Sequence, residues 1–162
     1  SYNICFSAGD LGPKRKQGDY QVPEGFYSID VFNPESKFHL SLGIDYPNPS
    51  DRILGNKQRL GGDIFIHGSC FSVGCIPITD ACIKELYILS IEAKTIGQQN
   101  IPVHIFPSRL TDAFINDYKY EEYMNYNHTS FWQNLKKGYD YFEVHKTLPT
   151  ITVSEAGAYL FE

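Results

Sequence analysis

The order of the predicted elements in this 162-residue chain indicates an α+β fold. Strand-like segments rich in aromatic and β-branched residues dominate the first half, and helix-like segments dominate the second. The strand–helix–strand alternation that is typical of a doubly wound parallel sheet is missing. The length suits one domain, and the chain contains no internal repeat, low-complexity segment or linker, so we expect residues 1–162 to form a single domain.

Four strands and two long loops are predicted in the first half of the chain. The strands are expected at 3–9, 26–32, 37–46 and 63–68. The turn-forming sequence NPES at 33–36 predicts that the second and third of these strands form a hairpin. The loops at 9–25 and 46–62 are rich in Gly and Pro, and the second has room for a short helix. Loops of this length in a compact domain usually carry function.

Three helices, one strand and a final hairpin are predicted in the second half. Thr79 and Asp80 are N-cap candidates for a helix that ends at about residue 95 or 96, before Gly97. Its apolar spacing is helical, with Ile83, Leu86, Tyr87, Ser90, Ala93 and Lys94 on one face. A strand follows at 101–106, helices at 111–124 and 130–146, and a hairpin at 150–161. Ser130 and Gln133 form the pattern of a capping box at the start of the last helix.

Charge and hydropathy exclude two classes of function. Fourteen Lys and Arg against nineteen Asp and Glu give a net charge of −5, which argues against a nucleic-acid-binding protein. No run reaches the roughly 18 apolar residues that a membrane span needs. The first residues do not form an export signal, so we expect any such segment to precede residue 1. Four cysteines are too few for a disulfide scaffold, and we expect Cys5, Cys70 and Cys82 to be buried small residues.

The segment GGDIFIHGSCFSVGCIPITDACIKEL at 61–86 concentrates reactive side chains after a predicted strand. One interpretation is a zinc site formed by His67, Cys70, Cys75 and Cys82, although these residues lack the close pairing of structural zinc ligands. A second is a serine hydrolase with Ser72 in a G-x-S-x-G motif whose first Gly is replaced by Cys70.

A third interpretation is a cysteine nucleophile. Cys75 would attack as a thiolate, and the backbone N–H groups of Gly74 and Cys75 could stabilise an oxyanion. His67 lies eight residues upstream at a strand end, and the Gly68 carbonyl could hold its Nδ1–H. The alternative that His67 and Cys75 are ordinary core residues at a strand end remains open.

The motif IHG followed by S-x-G-C resembles the signature of the L,D-transpeptidase catalytic domain, the YkuD-like family of bacterial cell-wall enzymes. The segments GDLGPKRKQGDYQVPEGFYSI, FHLSLGIDYPNPSDR, GGDIFIHG and VGCIPITD look like its YafK-like branch. The resemblance extends over residues 5 to 90. Two positions depart from the family pattern: Val73 replaces the second family His, and Pro77 replaces the usual Arg.

This resemblance implies an L,D-transpeptidase-like β-sandwich catalytic core with flanking helices. It implies that Cys75 is the nucleophile, that His67 is the base, and that the Gly68 carbonyl orients His67. Gly74 and Cys75 match the oxyanion-hole backbone, and Ser72 matches the family Ser as a substrate-site residue. No cofactor is implied.

The implied substrates are peptidoglycan stem peptides, attacked at meso-diaminopimelate to form a thioacyl-enzyme. Resolution by a stem amine would give a 3-3 cross-link, resolution by a lipoprotein lysine would anchor a protein, and water would make the enzyme a hydrolase. The YafK-like branch favours release of an envelope lipoprotein, so hydrolysis is a close alternative. A catalytically inactive wall-binding module is a further one. The implied location is the periplasm or cell envelope of a bacterium.

The substrate carboxylates call for cations near the groove. The two long loops contain Lys14, Arg15, Arg52 and Arg59, and Arg binds carboxylates well through two parallel hydrogen bonds. Among these residues we favour Arg52, which follows Asp51. Tyr46 is a candidate groove residue, although packing explains it better.

Overall fold

The computed structural model describes residues 2–117 and 128–162, and it confirms the α+β fold with helices that flank a β core. The strands are β1 Phe6–Ser7, β2 Gly25–Asn33, β3 Ser41–Ile44, β4 Phe65–His67, β5 Phe71–Ser72, β6 Ile76–Pro77, β7 Pro102–Ile105, β8 Ile151–Val153 and β9 Tyr159–Phe161. The helices are α1 Pro49–Leu54, α2 Asp80–Thr95, α3 Asp112–Asp117 and α4 Thr129–His145. No helix in this part of the chain is both long and apolar enough to span a membrane.

A five-stranded mixed sheet forms the centre of the fold, with the strand order β6-β4-β3-β2-β7. The predicted hairpin is confirmed, because β2 pairs antiparallel with β3. The strand β7 pairs antiparallel with the other side of β2. Two small sheets, β1 with β5 and β8 with β9, complete the β structure of the described residues, and the second is the predicted final hairpin.

The edge of the sheet combines an antiparallel and a parallel pair. Ser41 of β3 lies opposite His67 of β4, and His67 in turn lies beside Pro77 of β6 in a parallel register. Ile66 and Ile76 are the other aligned pair between β4 and β6, and both are buried. Because β6 runs parallel to β4 as its direct neighbour, the residues immediately before and after β6 also lie close to β4.

The helix α2 confirms its predicted boundaries. Thr79 is the N-cap, and its side chain accepts a 3.5 Å hydrogen bond from the Cys82 N–H. Ile83, Tyr87 and Ser90 are buried, which confirms the predicted face, and Ile83 and Tyr87 pack in one apolar cluster with Leu42 of the sheet.

The other helices follow the predictions in part. The short helix α1 lies in the second long loop, and Asn48 and Asp51 form a capping box at its start. The helix α3 lies within the predicted 111–124, of which residues 118–124 fall outside the described residues. The capping box predicted for α4 is wrong, because His128 is the N-cap and Ser130 already lies inside the helix.

A second apolar cluster joins α4 to β2 and the final hairpin. Trp132 and Leu135 of α4 pack there with Phe26 and Tyr159. The Phe26 ring makes an edge-to-face contact with Tyr159, at a centroid distance of 4.8 Å. The two clusters therefore fix helices α2 and α4 to the central sheet.

Our prediction that Cys5 and Cys70 are separate buried residues is wrong, because they form a disulfide with a Cα–Cα distance of 5.0 Å. The bond forms because β1 and β5, which begin one residue after these cysteines, pair in parallel with Phe6 beside Phe71. Sequence spacing gave no sign of that pairing, since 65 residues separate the two cysteines. Cys82 is a free thiol, half-buried against the first apolar cluster.

A buried carboxylate holds the first long loop against α4. Glu24 accepts a 2.7 Å hydrogen bond from the Gly12 N–H and another of 2.7 Å from the Trp132 indole N–H. Burial raises the pKa of Glu24 to about 7, although the two hydrogen bonds oppose the shift. Burial likewise raises the pKa of Asp51 to about 6.

We predict that these groups make the folded state less stable as the pH rises. A Glu whose folded pKa is raised from 4.5 to about 7 binds more protons in the folded state between these values. The free energy of unfolding must therefore fall as the pH rises through that window. The Glu24→Gln variant should show a flatter decline in urea unfolding between pH 5 and 8, whereas Glu155→Gln, at an exposed position, should match the parent chain. Equal slopes for all three proteins would contradict the role of Glu24.

Candidate active site

His67 is held in one tautomer at the end of β4. Its side chain is buried, and Nδ1 lies 2.6 Å from the Gly68 carbonyl oxygen. A carbonyl can only accept a hydrogen bond, so the proton of the neutral ring is on Nδ1 and Nε2 is the basic atom. The Phe38 ring covers the imidazole at a centroid distance of 4.7 Å. The geometry thus confirms the predicted contact between His67 and Gly68.

Only glycine fits at position 68. A Cβ atom there would lie 2.5 Å from a carboxylate oxygen of Asp80 and 2.5 Å from the Phe38 carbonyl oxygen. The same Asp80 oxygen accepts a 2.7 Å hydrogen bond from the Ser69 N–H. Asp80 therefore fastens the turn after His67 to the start of α2, in addition to its place in the first turn of that helix.

Cys75 lies immediately before β6, and its sulfur approaches the start of β4. The Phe65 N–H points at Sγ over 3.4 Å, and Sγ lies 3.6 Å from the Asp63 carbonyl oxygen. Gly74 before it has φ +90°, a backbone conformation that favours glycine. A backbone N–H directed at sulfur stabilises negative charge there, as a thiolate nucleophile requires.

Cys75 and His67 line one pocket of about 250 Å³. The parallel register of β4 and β6 explains this, since it brings Cys75, the residue before β6, to the start of β4, where the Phe65 N–H points at its sulfur. The other lining residues are Asn33, Ser36, Lys37, Phe38, Ser41, Asp63 and Phe65. The structure therefore brings the predicted nucleophile and base together.

Ser72 supports the turn that carries Cys75. It is buried, and its Oγ accepts a 2.9 Å hydrogen bond from the Cys75 N–H. A buried hydroxyl in this position does not favour the serine-hydrolase interpretation. To serve in the predicted oxyanion hole, the Cys75 N–H would have to give up this hydrogen bond and donate to the substrate instead. Contact of Ser72 with the substrate stays a prediction.

The zinc interpretation loses one of its ligands. Cys70 is in the disulfide and has no thiolate to offer a metal ion. Within residues 2–117 and 128–162, no cluster of three or more His, Cys, Asp or Glu side chains is arranged to hold one.

The other predicted substrate residues lie outside the lining of the Cys75 pocket. Lys14 is buried and forms an ion pair with Asp19 over 2.6 Å. Tyr46 is a core residue whose hydroxyl donates to the Leu60 carbonyl over 3.2 Å. Arg52 is exposed on α1. Their contact with substrate stays a prediction.

Sequence reasoning missed two charged residues of the pocket, Lys37 and Asp63. Lys37 follows the turn after β2, and Asp63 was assigned to the beginning of a strand. No periodicity or motif marks either residue, because their place in the pocket depends on how β2, β4 and β6 pack together.

The N-terminal segment braces the turn on both sides of Cys75. The Ala8 N–H donates to the Ser72 carbonyl over 3.1 Å, and the Cys5 N–H donates to the Pro77 carbonyl over 2.8 Å. The Phe6 and Phe71 rings stack at 5.5 Å. Together with the Cys5–Cys70 disulfide, these contacts hold residues 70–77 against residues 5–8.

Comparisons with known proteins agree on one family. The family model described as "L,D-transpeptidase catalytic domain" (YkuD) matches residues 2–105. Two curated relatives, both named "Putative L,D-transpeptidase YafK", come from Escherichia coli strain K12 and Escherichia coli O157:H7. Each is 41% identical over 155 residues, which cover 94% of this chain and 60% of the relative. The chain therefore spans about three fifths of the length of these relatives.

Solved structures of the helical cell shape determining protein Pgp2 from Campylobacter jejuni are more distant. One is 18% identical with a TM-score of 0.46, and the match covers 94% of this chain and 63% of that chain. A mutant of the same protein has the same identity and TM-score, with 86% of this chain covered and 45% of that chain.

We predict that loss of the disulfide weakens both the fold and the site. A closed loop of this length should contribute about 4 kcal/mol to the free energy of unfolding by the chain-entropy account. The Cys5→Ser/Cys70→Ser double variant should therefore unfold at lower urea concentration. The rate at which a thiol reagent alkylates Cys75 should also change, since residues 70–77 are no longer held by the disulfide. Cys82→Ser is the matched control. Unchanged unfolding of the double variant would show that the other contacts of residues 5–8 suffice.

Proposed function

Because the chain belongs to the L,D-transpeptidase catalytic-domain (YkuD) family, we propose that it is a cysteine-dependent acyltransferase that acts on peptidoglycan stem peptides. Cys75 is the nucleophile, and the carbonyl of meso-diaminopimelate is the group attacked. The observation that carries this proposal is the shared pocket of Cys75 and His67, with Nδ1 of His67 fixed by the Gly68 carbonyl.

Acylation begins with proton transfer from Cys75 Sγ to Nε2 of His67. The thiolate attacks the carbonyl carbon, and the N–H groups of Gly74 and Cys75 stabilise the resulting oxyanion. The Cys75 N–H leaves Ser72 Oγ for the oxyanion at this step, because a hydrogen bond to an anion is the stronger one. His67 then returns the proton to the leaving amine, and a thioester remains.

The acceptor that resolves the thioester decides the product. A stem amine gives a 3-3 cross-link, a lipoprotein lysine gives an anchored protein, and water gives hydrolysis. The reaction needs no cofactor, since the thiol, the imidazole and the backbone supply every group in it.

We place this activity in the periplasm or cell envelope of a bacterium. The Cys5–Cys70 disulfide supports the location, because disulfides form and persist in oxidising compartments outside the cytoplasm.

Replacement of Cys75 provides the direct test of the proposed function. Cys75→Ala should abolish every change in a muropeptide preparation, because Cys82, the other free thiol of the described residues, lies outside the pocket lining. Its fold should persist because Cys75 is only half-buried. Mass spectrometry of muropeptides, including lipoprotein-linked ones, should detect new species only with the wild-type chain and with Cys82→Ala.

The identity of the species in that experiment distinguishes the outcomes. New 3-3 cross-linked muropeptides establish a transpeptidase, whereas loss of terminal D-Ala or of the lipoprotein remnant without cross-links establishes a hydrolase. Full activity in Cys75→Ala would refute the nucleophile. No change with any protein would indicate an inactive wall-binding module.

Replacement of His67 should slow acylation without preventing it. His67→Ala should reduce the rate of thioester formation by about 10² to 10⁴, the usual contribution of a positioned base. The residual rate should rise with pH, because the thiol must then lose its proton to solvent. His145→Ala, an exposed position on α4, is the control. A normal rate in His67→Ala would mean that another group takes the proton.

A further inference from the structure

Two charges of opposite sign line the Cys75 pocket and have no role in the proposed acylation of Cys75. They belong to Lys37 and Asp63, and both side chains are exposed. Neither takes part in an ion pair among the residues that the structure describes. Unlike Lys14, whose charge Asp19 neutralises, these two groups are available to a ligand.

The two charges approach the reactive groups from different elements. Asp63 precedes β4, and its own carbonyl oxygen lies 3.6 Å from the sulfur of Cys75. Lys37 precedes Phe38, whose ring lies 4.7 Å from the imidazole of His67. The backbone of Asp63 therefore lies near Cys75, Lys37 is the chain neighbour of the residue that covers His67, and both residues line the pocket.

The rest of the lining suits a short organic ligand with charged and apolar parts. Asn33 and Ser36 provide uncharged hydrogen-bonding groups, and Phe38 and Phe65 provide aromatic surface. A ligand with a single negative charge would be attracted by Lys37 and repelled by Asp63, and a cation would meet the reverse. A ligand that carries both charges satisfies both residues.

We propose that Lys37 and Asp63 form a subsite for a zwitterionic amino-acid group at the end of a short aliphatic arm of the acyl donor. Lys37 binds its carboxylate and Asp63 its ammonium group, while Phe38 packs against the arm. This inference rests on the proposed function, because it takes Cys75 as the nucleophile. On meso-diaminopimelate the group is the distal centre, which carries a free amine and a free carboxylate.

Such a subsite would select the donor and orient it. Two charges held at fixed places on the pocket wall define the direction of the arm, and hence which carbonyl reaches Cys75. A stem peptide with lysine at this position carries the amine without the carboxylate, so it would leave Lys37 without its ligand group.

The test compares three stem tetrapeptides that differ only at the distal centre of diaminopimelate: free, amidated at the carboxylate, or acetylated at the amine. The readout is the rate of Cys75 thioester formation, followed by intact-protein mass spectrometry. With the wild-type chain each modification should lower the second-order rate constant by about tenfold or more, the usual effect of losing a hydrogen bond to a charged group.

Two variants assign each charge to its partner. Lys37→Met should lose the same factor with the free peptide and nothing further with the amidated one. Asp63→Asn should lose that factor with the free peptide and nothing further with the acetylated one. Asn also tolerates the positive φ of +56° at this position. Lys84→Met and Asp10→Asn remove exposed charges outside the pocket and should leave all rates at the wild-type level.

The outcomes separate this inference from the proposed function. The subsite would be overturned if Lys37→Met and Asp63→Asn lost the same factor with all three peptides, or lost nothing with any of them. Acylation of Cys75 in the wild-type chain would still support the proposed function in that case. Absence of any thioester with the wild-type chain would overturn the proposed function, and the subsite with it. Thermal unfolding of each variant confirms that a change in rate does not reflect loss of the fold.

Discussion

The parallel pairing of β4 with β6 is the constraint on which the candidate site depends. It aligns Ile66 with Ile76 and His67 with Pro77, and so sets Cys75 beside the start of β4. Parallel neighbours usually need a crossover of a dozen or more residues, but here the chain returns within residues 68–75. That short return is possible because β6 is only two residues long, and it keeps Cys75 and His67, the proposed nucleophile and base, close together in the chain.

Such a tight return needs support from outside itself. The N-terminal segment supplies it through the Cys5–Cys70 disulfide and through hydrogen bonds to the carbonyls of Ser72 and Pro77. On the opposite side, Asp80 at the start of α2 binds the Ser69 N–H. The turn is thus tied to two elements that are far apart in sequence, and these ties restrict the movement of the segment that contains Cys75.

The electrostatics of the chain divide into two kinds. Glu24 and Asp51 are buried carboxylates that accept hydrogen bonds from the surrounding structure. Their raised pKa values make the free energy of unfolding depend on pH. Lys37 and Asp63 are exposed at the pocket and have no ion-pair partner within the described chain, so their charges can act on a ligand. The carboxylates that affect the stability of the fold are therefore different residues from the charged groups that we propose to bind the ligand.

The α+β class, the β2–β3 hairpin and the extent of α2 could be predicted from the sequence, because they follow from the order and periodicity of local segments. The contact of His67 with the Gly68 carbonyl could also be predicted, since the two residues are adjacent in the chain. The roles of Cys75, His67 and Gly68 in catalysis stay predictions. The capping box predicted for α4 was wrong because helix ends cannot be located from a local pattern to better than one or two residues. The Cys5–Cys70 disulfide and the positions of Lys14, Lys37 and Asp63 could not be predicted in this way. These follow from strand pairings and loop packing between distant segments, and no local pattern encodes such contacts.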